Sequence, residues 1–394
     1  MLNTPFAPWP SFTQEEADAV AQTLLSNQVN YWTGQECRLF EQEFAAFVQT
    51  QYAVCLANGT VALDLALKAL DIGPGDDVVV TPRTFLASVS AIVNAGANPV
   101  FADVEPDSQN ISRRTIEAVL TPRTKAVICV HLAGWMCDMD PIMALAQECG
   151  LYVIEDCAQA HGAMYKGRSA GSIGHIGAWS FCQDKIMTTG GEGGMVTTNN
   201  EVLWQKMWSY KDHGKSFDAV YKAQHPPGFR WLHHAFGTNW RMTEMQAVIG
   251  RIQLKRMPGW TQQRNRHMAQ ILSECANTPY FTVHTPSADY VHAAYKCYVQ
   301  VNIDALPEGW SRDTIMQAVN QLGVPCYSGS CSEVYLERAF DHTPWRPQQR
   351  LPNARLLGEN SLMFLVHPTL TPEDMDKTCH AIRSVIGQIG NTAA

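Results

Sequence analysis

The chain has 394 residues, 46% hydrophobic and 17% charged, a balance that supports a large core and one or two domains. A formal net charge of -8, with no run of Lys or Arg, argues against a nucleic-acid surface. Met1–Pro10 lacks the basic-then-apolar plan of a secretory leader and no apolar run approaches a membrane span, so neither export nor a membrane is expected. The 12 cysteines show no CxxC pair, and the closest couple, Cys326 and Cys331, is too isolated for a four-ligand zinc site. They are expected to be reduced thiols of a cytoplasmic protein, with no metal.

A helix is expected to open near Thr13, where Thr13 and Glu16 form a capping-box pattern and Ala17, Val20, Ala21, Leu24 and Leu25 form an apolar stripe. A second helix covers about Glu36 to Val48. Strands and helices then alternate: strand 52–56, helix 61–70, strand 77–81, helix 85–94, strand 99–103, helix 115–120, strand 125–131, helix 141–149 and strand 151–156. This alternation predicts an α/β fold with a mostly parallel sheet flanked by helices, whose ligands bind at the C-terminal strand ends. A helix from Met242 is expected to stop at Pro258-Gly259, which divides the chain into a large domain, 1–257, and a smaller α+β domain, 258–394. The smaller part should hold strands near 295–303 and 363–367 and a last helix from Glu373 to Ile386.

Chemistry concentrates at the strand ends. Lys185 follows an apolar strand and precedes the glycine-rich Gly190–Gly194. A lysine held out of water on a rigid strand end suits an amine nucleophile, the requirement for a Schiff base with an aldehyde cofactor such as pyridoxal 5′-phosphate (PLP). A surface lysine beside a loop is the plain alternative. Asp156, at the end of its strand, could pair with a protonated pyridine nitrogen, or simply cap the strand; Glu155 should point to the opposite face. Asn58-Gly59-Thr60 before a helix forms either a phosphate cradle or an ordinary cap. Phe85, just past a strand, could stack on a planar ring or join the core. Asn239 and Arg241 precede a helix as polar donors or as a cap with a solvated arginine. A nucleotide-type phosphate loop is excluded by spacing, because the lysine precedes the glycines.

The order of these segments resembles the DegT/DnrJ/EryC1/StrS family of PLP-dependent sugar aminotransferases, of aminotransferase fold type I, from about Pro10 to the C-terminal helix. Asn-Gly-Thr, Pro-x-Thr-Phe, Glu-Asp-x-Ala-Gln-Ala-His, Ser-Phe-x-x-x-Lys with Gly-Glu-Gly-Gly, and Gly-x-Asn-x-Arg-Met-Thr-Glu carry the resemblance. It implies Lys185 as the Schiff-base lysine, Asp156 as partner of the pyridine nitrogen, Gln159 near the phenolic oxygen and Phe85 against the ring. It implies Gly59, Thr60 and Ser180 as phosphate ligands, joined by Asn239 from the neighbouring subunit of a homodimer with shared active sites. His161 reads as structural or ring-adjacent rather than as a base.

The implied reaction is ping-pong transfer of an amino group from L-glutamate to a keto or aldehyde sugar of cell-surface polysaccharide or lipopolysaccharide, with PLP cycling through pyridoxamine 5′-phosphate. Some relatives resemble this pattern but carry His in place of the lysine and dehydrate sugars; Lys185 favours transamination. A catalytically silent regulator of the same fold is a further alternative. Many relatives have Tyr within the segment that here reads His131-Leu-Ala-Gly134, followed here by Trp135 and Met136. Val324–Tyr335 stands where many carry a His-containing segment. Two substrate classes stay open: a nucleotide-linked keto sugar, or a free sugar acid such as an oxidised 3-deoxy-octulosonate. Arg230, Trp231, Arg241 and Tyr327 are candidate substrate contacts, the first two on a loop that could cover the sugar.

Overall fold

A computed structural model describes residues 5–393; the first four residues of the N-terminal stretch lie outside it. Two helices, α1 (Gln14–Leu25) and α2 (Glu36–Phe47), precede the sheet. The chain then lays down β1 (Tyr52–Leu56), α3 (Gly59–Ala69), β2 (Asp77–Val80), α4 (Ala87–Asn94), β3 (Asn98–Phe101), α5 (Arg113–Glu117), β4 (Thr124–Val130), α6 (Met139–Cys149) and β5 (Tyr152–Asp156). A short hairpin, β6 (Met164–Tyr165) and β7 (Arg168–Ser169), leads to β8 (Ile176–Ser180) and β9 (Gly194–Thr198). The seven-stranded sheet has the order β1-β9-β8-β5-β4-β2-β3. β9 pairs antiparallel with both neighbours, and the remaining pairs are parallel.

Its strands are apolar on both faces because both are covered. In β4, Val127 and Cys129 pack into one core, while Ala126, Ile128 and Val130 pack into the core on the other side. The parallel sheet and its flanking helices match the reading of the sequence. The ends of β1, β2, β4, β5 and β8 therefore open on one edge, with the β8–β9 connection that bears Lys185 at the same edge.

After α7 (Glu201–Tyr210) and α8 (Phe217–Tyr221) comes α9 (Glu244–Cys275), capped by Thr243 and Gln246. The stop expected before Pro258 does not occur: α9 runs through Pro258 for 32 residues. An interior proline removes one helical N–H and costs about 3 kcal/mol. Burial of Ile252, Leu254, Met257, Ile271 and Leu272 along the same helix offsets it.

The remaining segments form a second sheet, ordered β10 (Phe281–Thr282), β12 (Cys297–Val301), β14 (Ser361–Phe364), β13 (Cys326–Tyr327), all antiparallel. β11 (Tyr290–Val291) instead joins the β6–β7 hairpin. With α10 (Arg312–Gln321), α11 (Pro352–Asn360) and α12 (Pro372–Ala393), this matches the α+β character expected of the C-terminal part. Ile271, Val299, Phe364, Val385 and their neighbours make a core of their own.

The apolar stripe of α1 does not pack as expected. Glu16 is the buried residue of this helix, whereas Leu24 and Leu25 are exposed. Polar contacts set the orientation: the Glu16 carboxylate accepts from Gln253 at 2.9 Å, pairs with Arg256 at 3.1 Å, and accepts the Thr13 N–H at 2.6 Å. All 12 cysteines are free.

Candidate active site

The strand ends enclose a cleft of about 800 Å³. Gly59, Thr60, Phe85, Asp156, Gln159, Ser180 and Lys185 all line it, although they come from four separate segments. Lys185 follows β8 in a turn, its N–H bonded to the Cys182 carbonyl at 3.1 Å. Its side chain is 18% exposed, 3.9 Å from Asp184, with the ammonium 5.5 Å from the Tyr295 ring centroid. The Trp9 indole donates to the Lys185 carbonyl at 2.9 Å, so the N-terminal segment braces the turn from behind.

Asp156 ends β5 and is buried. Its Oδ2 accepts the Ser88 hydroxyl at 2.8 Å and its Oδ1 accepts the Ala158 N–H at 3.1 Å. Burial pushes its carboxyl above the usual range, while those two hydrogen bonds and the charge of Lys185 pull it back. A cationic ring nitrogen against this carboxylate would offset the burial. Glu155 points the other way, as alternation along a strand requires. It accepts the N–H groups of Gly171, Ile173 and Gly174 and the Nε2–H of His131 at 2.8 Å. Cys137 N–H donates to His131 Nδ1, which places the histidine proton on Nε2. The His131 N–H in turn holds the Asp156 carbonyl at 3.2 Å, so this pair anchors the strand behind the carboxylate.

α3 begins at Gly59, with the Asn58 side chain accepting the Val61 N–H at 3.0 Å. The first amides of the helix face the cleft beside Ser180. A Cβ at Gly59 would lie 2.5 Å from the Ser180 Cβ, so only glycine lets the helix N-terminus approach β8 this closely. Amides, a helix dipole and the Thr60 and Ser180 hydroxyls make an anion cradle. Phe85 is 74% exposed over the cleft rather than in the core. Gln159 Oε1 accepts the Ala133 N–H at 2.7 Å. The set fits PLP: an amine for its aldehyde, a buried carboxylate for its ring nitrogen, a cradle for its phosphate and an aromatic for its face.

Other candidates lie outside the cleft of a single chain. Asn239 is exposed and bridges to Asp212, while Arg241 pairs with Asp212 at 2.6 Å. Arg230 and Trp231 are exposed on the 222–238 connection, Trp231 to 82%. Tyr327 is half exposed on β13, short of Gly329 and Ser330, which do line the cleft. His161 is fully buried between Trp179 and Phe181, at ring-centroid distances of 5.1 and 5.6 Å, and is held neutral, down to about 3, by burial.

Reading the sequence missed Ser88, Asp184, Tyr295, Lys296 and Tyr298. Ser88 stands one helical turn past Thr84, a spacing that could have placed it at the same strand end. Tyr295–Tyr298 read only as a strand, because nothing local ties that segment to Lys185.

The sequence pattern of the DegT/DnrJ/EryC1/StrS aminotransferase family matches residues 10–383. The crystal structure of an aminotransferase from Psychrobacter cryohalolentis is 65% identical and superposes with a TM-score of 0.97, covering 98% of this chain and 100% of that one. GDP-perosamine synthase of Escherichia coli O157:H7 is 40% identical over 283 residues, 72% of this chain and 74% of that protein. A UDP-N-acetyl-3-dehydro-alpha-D-glucosamine 3-aminotransferase of Acidithiobacillus ferrooxidans is 34% identical over 360 residues, 91% of each. The chain therefore belongs to the DegT/DnrJ/EryC1/StrS aminotransferase family and is a PLP-dependent sugar aminotransferase.

Proposed function

We propose that this enzyme moves an amino group from L-glutamate to a keto sugar carried on a nucleotide, by a ping-pong cycle in which PLP alternates with pyridoxamine 5′-phosphate. The observation that carries the chemistry is the convergence of Lys185, Asp156 and the Gly59–Ser180 cradle on one cleft. The nucleotide-linked acceptor is favoured over a free sugar acid because relatives named for GDP- and UDP-linked sugars align over most of the chain.

Bound PLP supplies an aldehyde that exchanges amines and a ring that takes up the electrons of a breaking C–H bond. With the cofactor bound, Lys185 would be the amine that holds it and, once free, the base and acid that moves a proton at the substrate carbon. Asp156 holds positive charge at the ring nitrogen, where electron density develops. Ser88 and the Ala158 N–H fix the orientation of that carboxylate. Gly59, Thr60 and Ser180 would hold the phosphate, Phe85 would cover the ring, and Gln159 would meet the phenolic oxygen.

The working unit is a homodimer with shared sites, in which Asn239 completes the partner's phosphate cradle and Arg230, Trp231, Arg241 and Tyr327 approach the sugar. Exposure of Phe229, Trp231 and Phe236 on one connection, the last to 99%, supports such an interface. The separate core of residues beyond 270 supports a division into units 1–257 and 258–394 joined through α9. No helix among the described residues is long and apolar enough to cross a membrane.

Borohydride reduction of PLP-saturated protein, followed by peptide mapping, is expected to place a phosphopyridoxyl group on Lys185. A protein saturated with PLP yet lacking that adduct would refute the assignment. A panel of nucleotide-linked keto sugars against free keto acids, with glutamate as donor, identifies the acceptor class.

A further inference from the structure

Lys296 is the second lysine on the wall of the cleft. Its ammonium lies 4.8 Å from the centroid of the Tyr295 ring, the ring that Lys185 also faces at 5.5 Å. The two amines thus approach one aromatic ring on the wall of the same cleft. Among the described residues no carboxylate lies within ion-pair distance of Lys296. The acid that acts on it, Asp184, is already engaged by the Tyr295 hydroxyl at 2.5 Å and by Lys185.

The surroundings add positive charge. Arg264 is buried in α9 with no hydrogen-bond partner at Nε or Nη2, and its guanidinium lies 4.9 Å over the Trp9 ring. Burial pushes Lys296 down to about 8; Asp184 opposes this, while Arg264 and Lys185 add to it. Lys185 and Arg264 are thus the cations that act on Lys296, and Asp184 is the carboxylate that opposes them there. Partly buried cations without partners are costly, and an anion entering the cleft would offset that cost. Lys296 and Tyr298 also form the wall between the cleft and a small inner cavity of about 30 Å³ that reaches His292 and Gln300.

We propose that Lys296 is the residue that binds a carboxylate of the substrate reacting beside Lys185. The inference rests on the reading of Lys185 as the cofactor-bearing lysine. An α-amino acid donor carries its carboxylate on the same carbon as its reacting amine. Once that amine reaches the carbon held by Lys185, the carboxylate must sit within a few bond lengths of it. A sugar acid would bring the same group from the acceptor side, so the shared chemistry is the carboxylate, and two probes separate its sources.

The test uses PLP-loaded wild type, Lys296→Gln and Lys296→Arg, titrated calorimetrically with glutarate and, in parallel, with gluconate. Lys296→Gln is expected to weaken glutarate binding by about tenfold or more, the scale of a charge-assisted hydrogen bond, while Lys296→Arg keeps most of the affinity. The borohydride-trapped adduct on Lys185 should form equally in all three, which separates lost recognition from lost folding. Selective loss for glutarate assigns the carboxylate to the donor, and selective loss for gluconate assigns it to a sugar acid. Equal binding of both anions by wild type and Lys296→Gln, or no binding of either by wild type, overturns the proposal. Absence of the Lys185 adduct in wild type defeats the cofactor reading instead, and the titrations on the same protein still decide Lys296.

Discussion

The Tyr295 hydroxyl donates to the Asp184 carboxylate at 2.5 Å, joining the segment that enters β12 to the turn that carries Lys185. Asp184 is thereby held below the usual carboxylate range: burial raises it, but Lys185 and the Tyr295 hydroxyl outweigh that effect. The contact ties the C-terminal sheet to the reacting amine, so a change in that sheet is felt at Lys185. Tyr295→Phe is expected to lower kcat by roughly tenfold, the cost of one hydrogen bond to a charged group. The Lys185 adduct should still form. Steady-state rates alongside borohydride trapping check this, and an unchanged kcat would remove Tyr295 from the positioning of Lys185.

Asp156 couples stability to function with opposite signs. Its carboxyl is raised by burial in the cofactor-free protein, so the fold favours the neutral form. Its contribution to stability is full at low pH and is lost as pH rises through the raised folded value. Asp156→Asn cannot ionise. The cofactor-free variant should therefore melt roughly 2 °C above wild type near pH 8, with the gap closing toward pH 4. Transamination should fall by at least about a hundredfold, because the charge at the ring nitrogen is gone. Melting curves of both proteins across this pH range would show the convergence; a constant gap would mean the effect is not ionisation.

Gly59→Ala should damage the cradle. The new Cβ would meet the Ser180 Cβ at 2.5 Å, and neither the start of α3 nor the end of β8 has a flexible side chain to yield. Overpacking of this kind costs about 1–3 kcal/mol. The variant is expected to melt lower and to lose PLP on dialysis where wild type retains it. Normal retention would show that α3 can retreat without losing the phosphate.

Carboxylate binding by Lys296 should depend on pH. The groups facing it are Asp184 and Lys185 on the turn, Arg264 on α9, Tyr295 and Tyr298 beside it, His292 and Asp107 from the inner cavity, and His367 beyond β14. Burial holds His292 near 4 and His367 near 3, so neither titrates around neutrality. Lys296, pushed to about 8, is cationic below that value and neutral above it. Glutarate affinity should be flat from pH 6 to 7 and fall above about 8. Calorimetric titrations at several pH values read this directly. Lys296→Gln should abolish the fall, and a fall that persists in this variant would trace it to another group.

Much of the site was legible because its parts are short motifs fixed to strand ends. Asn58–Thr60, Phe85, Asp156, Gln159, Ser180 and Lys185 each stand within a few residues of an apolar run. A parallel sheet brings such positions to one edge whatever the details of packing. Ser88 escaped because its role depends on the rotation of α4 over β5. Tyr295 and Lys296 escaped because they enter the cleft from a different sheet, more than a hundred positions along the chain from Asp184 and Lys185. Arg241 looked available in the sequence, but only the fold shows it committed to Asp212.

The amino-acid sequence by itself determined the order of strands and helices, the parallel sheet and the residues presented at its C-terminal edge. Hydrophobic periodicity and strand-end chemistry are local, and a chain carries them wherever it folds. The tertiary structure alone decided that α9 runs through Pro258, that α1 turns Glu16 inward and its leucines outward, and that Lys296 joins Lys185 over one tyrosine ring. Each of these is settled by packing between distant segments, where the energy of burial or of an ion pair exceeds the local preference that the sequence displays.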